Sequence, residues 1–172
     1  QEDDCTGRFW EGRFKSQALL DEAAVLTCMG YVDLNPIRAK MAETPEQSDF
    51  TSIQQRIRVS LKEKPLADNL PALMPLVRQH KDKHRNAIGF STNDYLQLAD
   101  WAGRAVREDK RGAIPTGLAP ILSRMGLEPE GYLNHLRGHK GKPHPLVMGP
   151  VERIKETAQQ LGQRFIKGMN EA

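Results

Sequence analysis

The chain has 172 residues, 38% of them hydrophobic and 27% charged, and a formal net charge of +3, with a mean hydropathy of −0.59. This is the profile of one polar domain, or a small domain with an extension, carrying a modest core. No apolar run approaches the roughly 20 residues of a membrane span, so no membrane partner is expected. The acidic start QEDDCTGRFW has neither a signal-peptide core nor an initiator methionine, as expected of a fragment. Cys5 and Cys28 lack CxxC spacing, so no zinc site or disulfide framework is expected and a reduced, cytoplasmic setting is the default.

In chain order, the aromatic run Arg8 to Leu20, broken by Gly7 and Gly12, suggests a hairpin or bent edge strand. Asp21 is a plausible N-cap for a helix from about Glu22 to Leu34. Val25, Met29 and Val32 form its apolar stripe, and Ala24, Cys28, Tyr31 and Asn35 a neighbouring face. Pro36 should end or kink this helix. A second helix is expected from about Phe50 to Lys62, capped by Ser48 or Asp49, with Phe50, Ile53, Ile57 and Leu61 docking it on the first. Residues 64–90 carry Pro65, Pro71, Pro75 and Gly89 and read as a linker with a short helix near 73–79. A third helix follows Ser91, where Ser91-x-x-Asp94 resembles a capping box; Tyr95, Leu98, Ala102 and Ala105 face inward. Two short helices flank Gly126, and Pro150 opens a last helix whose stripe is Val151, Ile154, Ala158, Leu161 and Phe165.

Charge is unevenly distributed. Between Ile53 and Arg85 eight cations (Arg56, Arg58, Lys62, Lys64, Arg78, Lys81, Lys83, Arg85) face three anions, an excess of five. Such a stretch can neutralise phosphates, or simply form a solvated face. Arg8, Arg13 and Lys15 interleave with Phe9, Trp10 and Phe14, a mixture suited to stacking bases and pairing phosphates of single-stranded DNA. In a strand the aromatics would instead be core and the cations exposed. The His80/His84 and His135/His139 pairs sit among lysines and arginines, which disfavours a metal. The helix Pro129 to Arg137 has Arg137 as its one Lys or Arg, too few for a recognition helix.

Tyr31 and Asn35 are the residues with chemical potential. A phenol is a poor nucleophile at neutral pH, and attack on a phosphodiester needs help from a cation. Residues four apart share a helix face, so Asn35 is placed to offer its carbonyl oxygen to a metal near the Tyr31 hydroxyl; it would equally serve as a turn cap before Pro36. By spacing alone, a tyrosine on a helix is a half-buried packing residue.

The run GRFWEGRFKSQALL followed by YVDLNPIRA resembles the catalytic-tyrosine end of the REP-associated, HUH-type single-tyrosine transposases of bacterial mobile elements. The resemblance continues through SDFTSIQQRI and, more loosely, through DYLQLADWAGRAVREDKRGAIP. It implies Tyr31 as nucleophile, Asn35 as a metal ligand, and Arg8, Arg13, Lys15, Arg38 and Lys40 at the DNA. It also implies cleavage and rejoining of single-stranded, stem-loop DNA through a phosphotyrosine intermediate, with Mg or Mn in the complete enzyme and, in many members, a homodimer. The family's His-hydrophobic-His motif lies upstream of the tyrosine, and this chain has no histidine before His80. The chain is therefore expected to bind no metal alone and to be inactive alone. Lys40 stands where the family usually has glycine. The implied fold is mainly α with a short N-terminal β element: residues 1–45 as the remnant of a ferredoxin-like α+β nuclease domain, and 46–172 as a helical extension with a linker near 64–90. Alternatives are a non-catalytic DNA-binding helical protein derived from a transposase, and a helical interaction domain.

Overall fold

The structure, a computed structural model, describes residues 16–63, 72–77, 87–106, 122–123, 126, 128–137 and 147–166. It is mainly helical with one short strand pair. Among the described residues no helix is long and apolar enough to cross a membrane. The chain divides into two units, one from Asp21 to Pro143 and one joining Gln1–Leu20 to His144–Ala172. The boundary at position 45 read from the sequence falls inside the first of these, whose core takes Leu26, Leu34 and Ile53 alike.

The larger unit begins with α1, Glu22–Asp33. Asp21 caps it: its carboxylate accepts from the Ala24 N–H at 2.8 Å. The helix stops at Leu34, and α2, Asn35–Arg38, starts at once with Pro36 in its first turn. Proline lacks the N–H that would continue the ladder, yet suits a new helix start, so one residue both ends α1 and seeds α2. A 3-10 turn, Pro45–Gln47, leads to α3, Ser52–Ser60. Then come α4, Thr92–Val106, and α5, Pro129–Arg137. The Asp94 N–H donates to Ser91 Oγ at 3.1 Å, the N-cap half of the expected box. Helix α5 packs on both α1 and α4, and α3 packs on α4, so α5 is an ordinary core helix.

Four expectations need correction in this unit. The buried face of α1 is Ala24, Leu26, Thr27, Gly30 and Asp33, while Val32 is 58% exposed. Val25 and Met29 of the expected stripe pack half-buried against the core, but the fully buried face is shifted from it, with Gly30 against α5 and Asp33 bonded to α3. Helix α3 starts at Ser52 with Thr51 as N-cap, two residues later than expected. Phe50 therefore precedes the helix, at φ +62 and 96% exposed, and Leu61 is also exposed; of the four expected stripe residues Ile53 and Ile57 join the core, and the helix packs chiefly on α4 and the 3-10 turn rather than on α1. Third, residues 72–77 are extended rather than helical. Leu76 bridges Ile88 in a parallel pairing, and Leu76, Ile88 and Phe90 are all buried in the core. Pro75 cannot donate to a helix, and the apolar pair gains more by burial against α4's surroundings than a short isolated helix would offer. Fourth, Arg56, counted with the basic stretch, is 8% exposed, and its guanidinium donates to the Met74 carbonyl at 2.9 Å.

The smaller unit pairs β1, Ala18–Leu19, with β2, Val147–Met148. The pairing is parallel, with Ala18 opposite Val147 and Leu19 opposite Met148. Of the hairpin or bent edge strand expected over Arg8 to Leu20, the described part is a short strand paired with a distant segment; Arg8 to Lys15 lie outside the described residues. Gly149, at φ +153, passes Leu20 so closely that an added Cβ would lie 2.9 Å from the Leu20 Cβ. Pro150 precedes α6, Val151–Gln160. Ile154 and Ala158 are buried with Val147 and Ile166, but Leu161 and Phe165 are exposed. The expected stripe ends early because the helix does.

Three of the helices end in Schellman turns. Gly162, at φ +66, donates to Gln159 O while Gln163 donates to Ala158 O. The same bonds close α3 through Lys62 (φ +56) and α2 through Lys40 (φ +58). At position 40 the turn is closed with lysine held in the left-handed region. A β-carbon there costs about 1–2 kcal/mol. Lys40→Gly is expected to stabilise the protein by roughly 0.5–1 kcal/mol, net of glycine's greater unfolded-state entropy. Urea melts would show it as a raised midpoint at constant slope; an unchanged or lowered midpoint would refute it.

Candidate functional site

The junction of α1 and α2 divides the YVDLNPIRA segment into two faces. Asp33, Leu34 and Ile37 point inward, at 1%, 0% and 5% exposure. Leu34 and Ile37 lie against Gly103 of α4, where an added Cβ would approach them to 3.4 and 3.6 Å. On the other side, Tyr31 is half-buried, Asn35 exposed and Arg38 half-buried.

These three outer residues come together. The Arg38 guanidinium lies over the Tyr31 ring, its carbon 3.9 Å from the centroid, a cation–π contact. Arg38 Nη2 donates to Asn35 Oδ1 at 2.8 Å and, more weakly, to the Tyr31 carbonyl at 3.4 Å. Asn35, the first residue of α2, is not free: its amide oxygen receives the arginine. Lys40 follows at the exposed end of the turn. Arg8, Arg13 and Lys15, and most of the later basic stretch, lie outside the described residues.

The inner face holds a polar node that sequence reasoning missed. Asp33 accepts from Ser52 Oγ at 2.9 Å on each carboxylate oxygen, from the Ile53 N–H at 3.2 Å, and from the Tyr95 hydroxyl at 2.5 Å. Ser52 and Ile53 form the first turn of α3, so Asp33 caps that helix from another element, where its charge meets the positive end of the helix dipole. Arg56 also faces this node. Burial pulls its guanidinium below the usual arginine value, while Tyr95 and Asp33 act in the opposite direction. Burial pushes the Tyr95 phenol well above its ordinary value, and the charge of Asp33 and the hydrogen bond to it add to the shift. Tyr132 is raised for the same leading reason, with Asp33's charge second. A signal for the node did exist: an inward-facing tyrosine on a strongly amphipathic helix needs a partner for its hydroxyl.

The raised phenol of Tyr95 gives a pH dependence. The folded state holds this proton more tightly than the unfolded chain, whose phenol titrates near pH 10. The contribution is fully present below about pH 10 and is lost as pH climbs above it toward the raised folded value. Stability should therefore fall above pH 10 more steeply in wild type than in Tyr95→Phe, in urea melts taken across that range. Parallel curves would show that Tyr95 does not couple to folding.

Among the described residues no three His, Cys, Asp or Glu groups gather into a metal-binding set. The amide oxygen of Asn35 already faces a guanidinium, which would repel a second cation. What the arrangement can do is hold a phenol and a guanidinium side by side at a helix junction anchored in the core. No family model, curated protein or solved structure matches the chain.

Proposed function

We propose that this chain derives from the C-terminal part of a REP-associated, HUH-type tyrosine transposase. Residues up to about 45 are then the remnant of its ferredoxin-like nuclease domain, and Tyr31 is the nucleophile of the complete enzyme. The observation that supports this reading most is the juxtaposition of Tyr31, Asn35 and Arg38 on one outer face, while Asp33, Leu34 and Ile37 hold the same segment in the core. A phenol beside a guanidinium is an arrangement suited to a phosphodiester: the cation pairs with the phosphate and the phenol oxygen attacks phosphorus. The attack would form a tyrosyl–phosphate bond and release the DNA hydroxyl, with the phenolic proton passing to a base. The partner is single-stranded, stem-loop DNA, and a homodimer fits the same reading.

Two outcomes test it. The chain as it stands, with no histidine before His80, should not cleave labelled stem-loop DNA with magnesium or manganese; Tyr31-dependent products would contradict this. A longer form that carries a histidine pair should form a covalent adduct, which Tyr31→Phe abolishes while DNA binding stays within about twofold, since only the hydroxyl is removed. An adduct that survives Tyr31→Phe places the nucleophile elsewhere and leaves the non-catalytic DNA-binding reading in force.

A further inference from the structure

We infer that Asn35 is a positioning residue for Arg38, and that Arg38, so held against Tyr31, is the receptor for a DNA phosphodiester. The inference rests on the transposase-derived reading above, but departs from the metal-ligand role that the resemblance implies for Asn35.

A guanidinium recognises phosphate through a flat fork of donors, so its orientation decides what it can bind. Here three contacts set that orientation. The Tyr31 ring supports one face at 3.9 Å. Asn35 Oδ1 takes Nη2 at 2.8 Å, and the Tyr31 carbonyl takes the same nitrogen at 3.4 Å. All three partners are neutral. Among the described residues no carboxylate pairs with Arg38, and its buried Nε has no acceptor. The side chain is thus held in place with no carboxylate beside it among the described residues. Oriented by neutral acceptors, the guanidinium keeps its charge available to an anion.

Asn35 suits the holding role. Its residue is exposed, and its oxygen accepts from Arg38 at 2.8 Å. At the first turn of α2 an aspartate is well tolerated by the backbone and the dipole. Asn35→Asp therefore changes the charge at Arg38 while leaving the fold intact.

The experiment uses the full chain and a fluorescein-labelled single-stranded oligonucleotide, with anisotropy read across a salt series. Asn35→Asp should pair with Arg38, weaken binding at low salt, and shallow the log–log salt slope by about 0.7, one phosphate's worth on a single strand. In an Arg38→Ala background the same change should have no further effect on the slope, a result that a general structural defect would not produce. The inference is overturned if Asn35→Asp leaves the slope unchanged, or if it creates manganese-dependent tightening absent from wild type, which would make position 35 a metal ligand. Wild type that shows no binding even at low salt would overturn the transposase-derived reading itself, and this inference with it. Binding that is present but indifferent to Asn35→Asp would sink the inference alone.

Discussion

Asp33→Ala should lower the unfolding free energy by about 2–5 kcal/mol, because it strips buried donors of their acceptor. The carboxylate is 1% exposed and satisfies three donors: the Ser52 hydroxyl, the Ile53 N–H and the Tyr95 hydroxyl. Removing it leaves all three without a partner, and each buried orphan costs about 1–3 kcal/mol. It also removes the charge that meets the α3 N-terminus. Tyr95→Phe deletes one donor and leaves the carboxylate with the other two, so about 1–2 kcal/mol is expected there. The contrast between the two variants is the test, read by urea denaturation at neutral pH. A loss below about 1 kcal/mol in Asp33→Ala, the range of minor substitutions, would mean the node does not hold the fold. The consequence for the site is direct. Asp33 lies two residues from Tyr31 and fastens the end of α1 to α3, so the outer face keeps its geometry only while the inner one is tied.

A second large effect is expected at Gly30, in the middle of α1. Alanine in a helix interior ordinarily gains about 0.5–1 kcal/mol over glycine. Here an added Cβ would meet the Tyr132 hydroxyl oxygen at 2.6 Å. Tyr132 cannot readily yield: it is 2% exposed and its ring stacks on Trp101, with centroids 6.4 Å apart. Gly30→Ala should therefore destabilise by about 1–3 kcal/mol through overpacking. The Tyr132 hydroxyl has no hydrogen-bond partner among the described residues, so Tyr132→Phe alone should be close to neutral. With that oxygen gone, the nearest ring carbon is 3.6 Å from the new Cβ and Leu136 Cδ2 3.4 Å, ordinary contact distances. In the Tyr132→Phe background Gly30→Ala should become neutral or stabilising. Additivity of the two changes would show that the contact at 2.6 Å is not what excludes a side chain.

Local signals in the chain located much of this architecture. Asp21, Pro36, Ser91 and Pro150 mark helix starts or stops by their own backbone chemistry, and each stands at or beside an observed boundary. Tyr95, Leu98 and Ala102 are buried as the periodicity of α4 requires. That Tyr31 and Asn35 lie on one side was equally readable from their four-residue spacing, and both meet Arg38 there. That Arg38 would close the group was not, since its reach depends on how α2 leaves α1.

Other features belong to the tertiary structure alone. The rotation of α1 follows from Gly30 meeting α5 and Asp33 meeting α3, neither of which an apolar pattern within α1 encodes. Phe50 and Leu61 match a helical stripe, but the helix begins and ends between them because Asp33 and Thr51 cap its start and Lys62 closes its end. The Leu76–Ile88 bridge and the β1–β2 pair join segments far apart in sequence, and no local propensity specifies a partner at that distance. What the sequence by itself determined was where helices could start. Which face each helix buries, and whether Asn35 serves a metal, a cap or an arginine, is decided by contacts between elements, because a side chain's partner is set by what packs beside it.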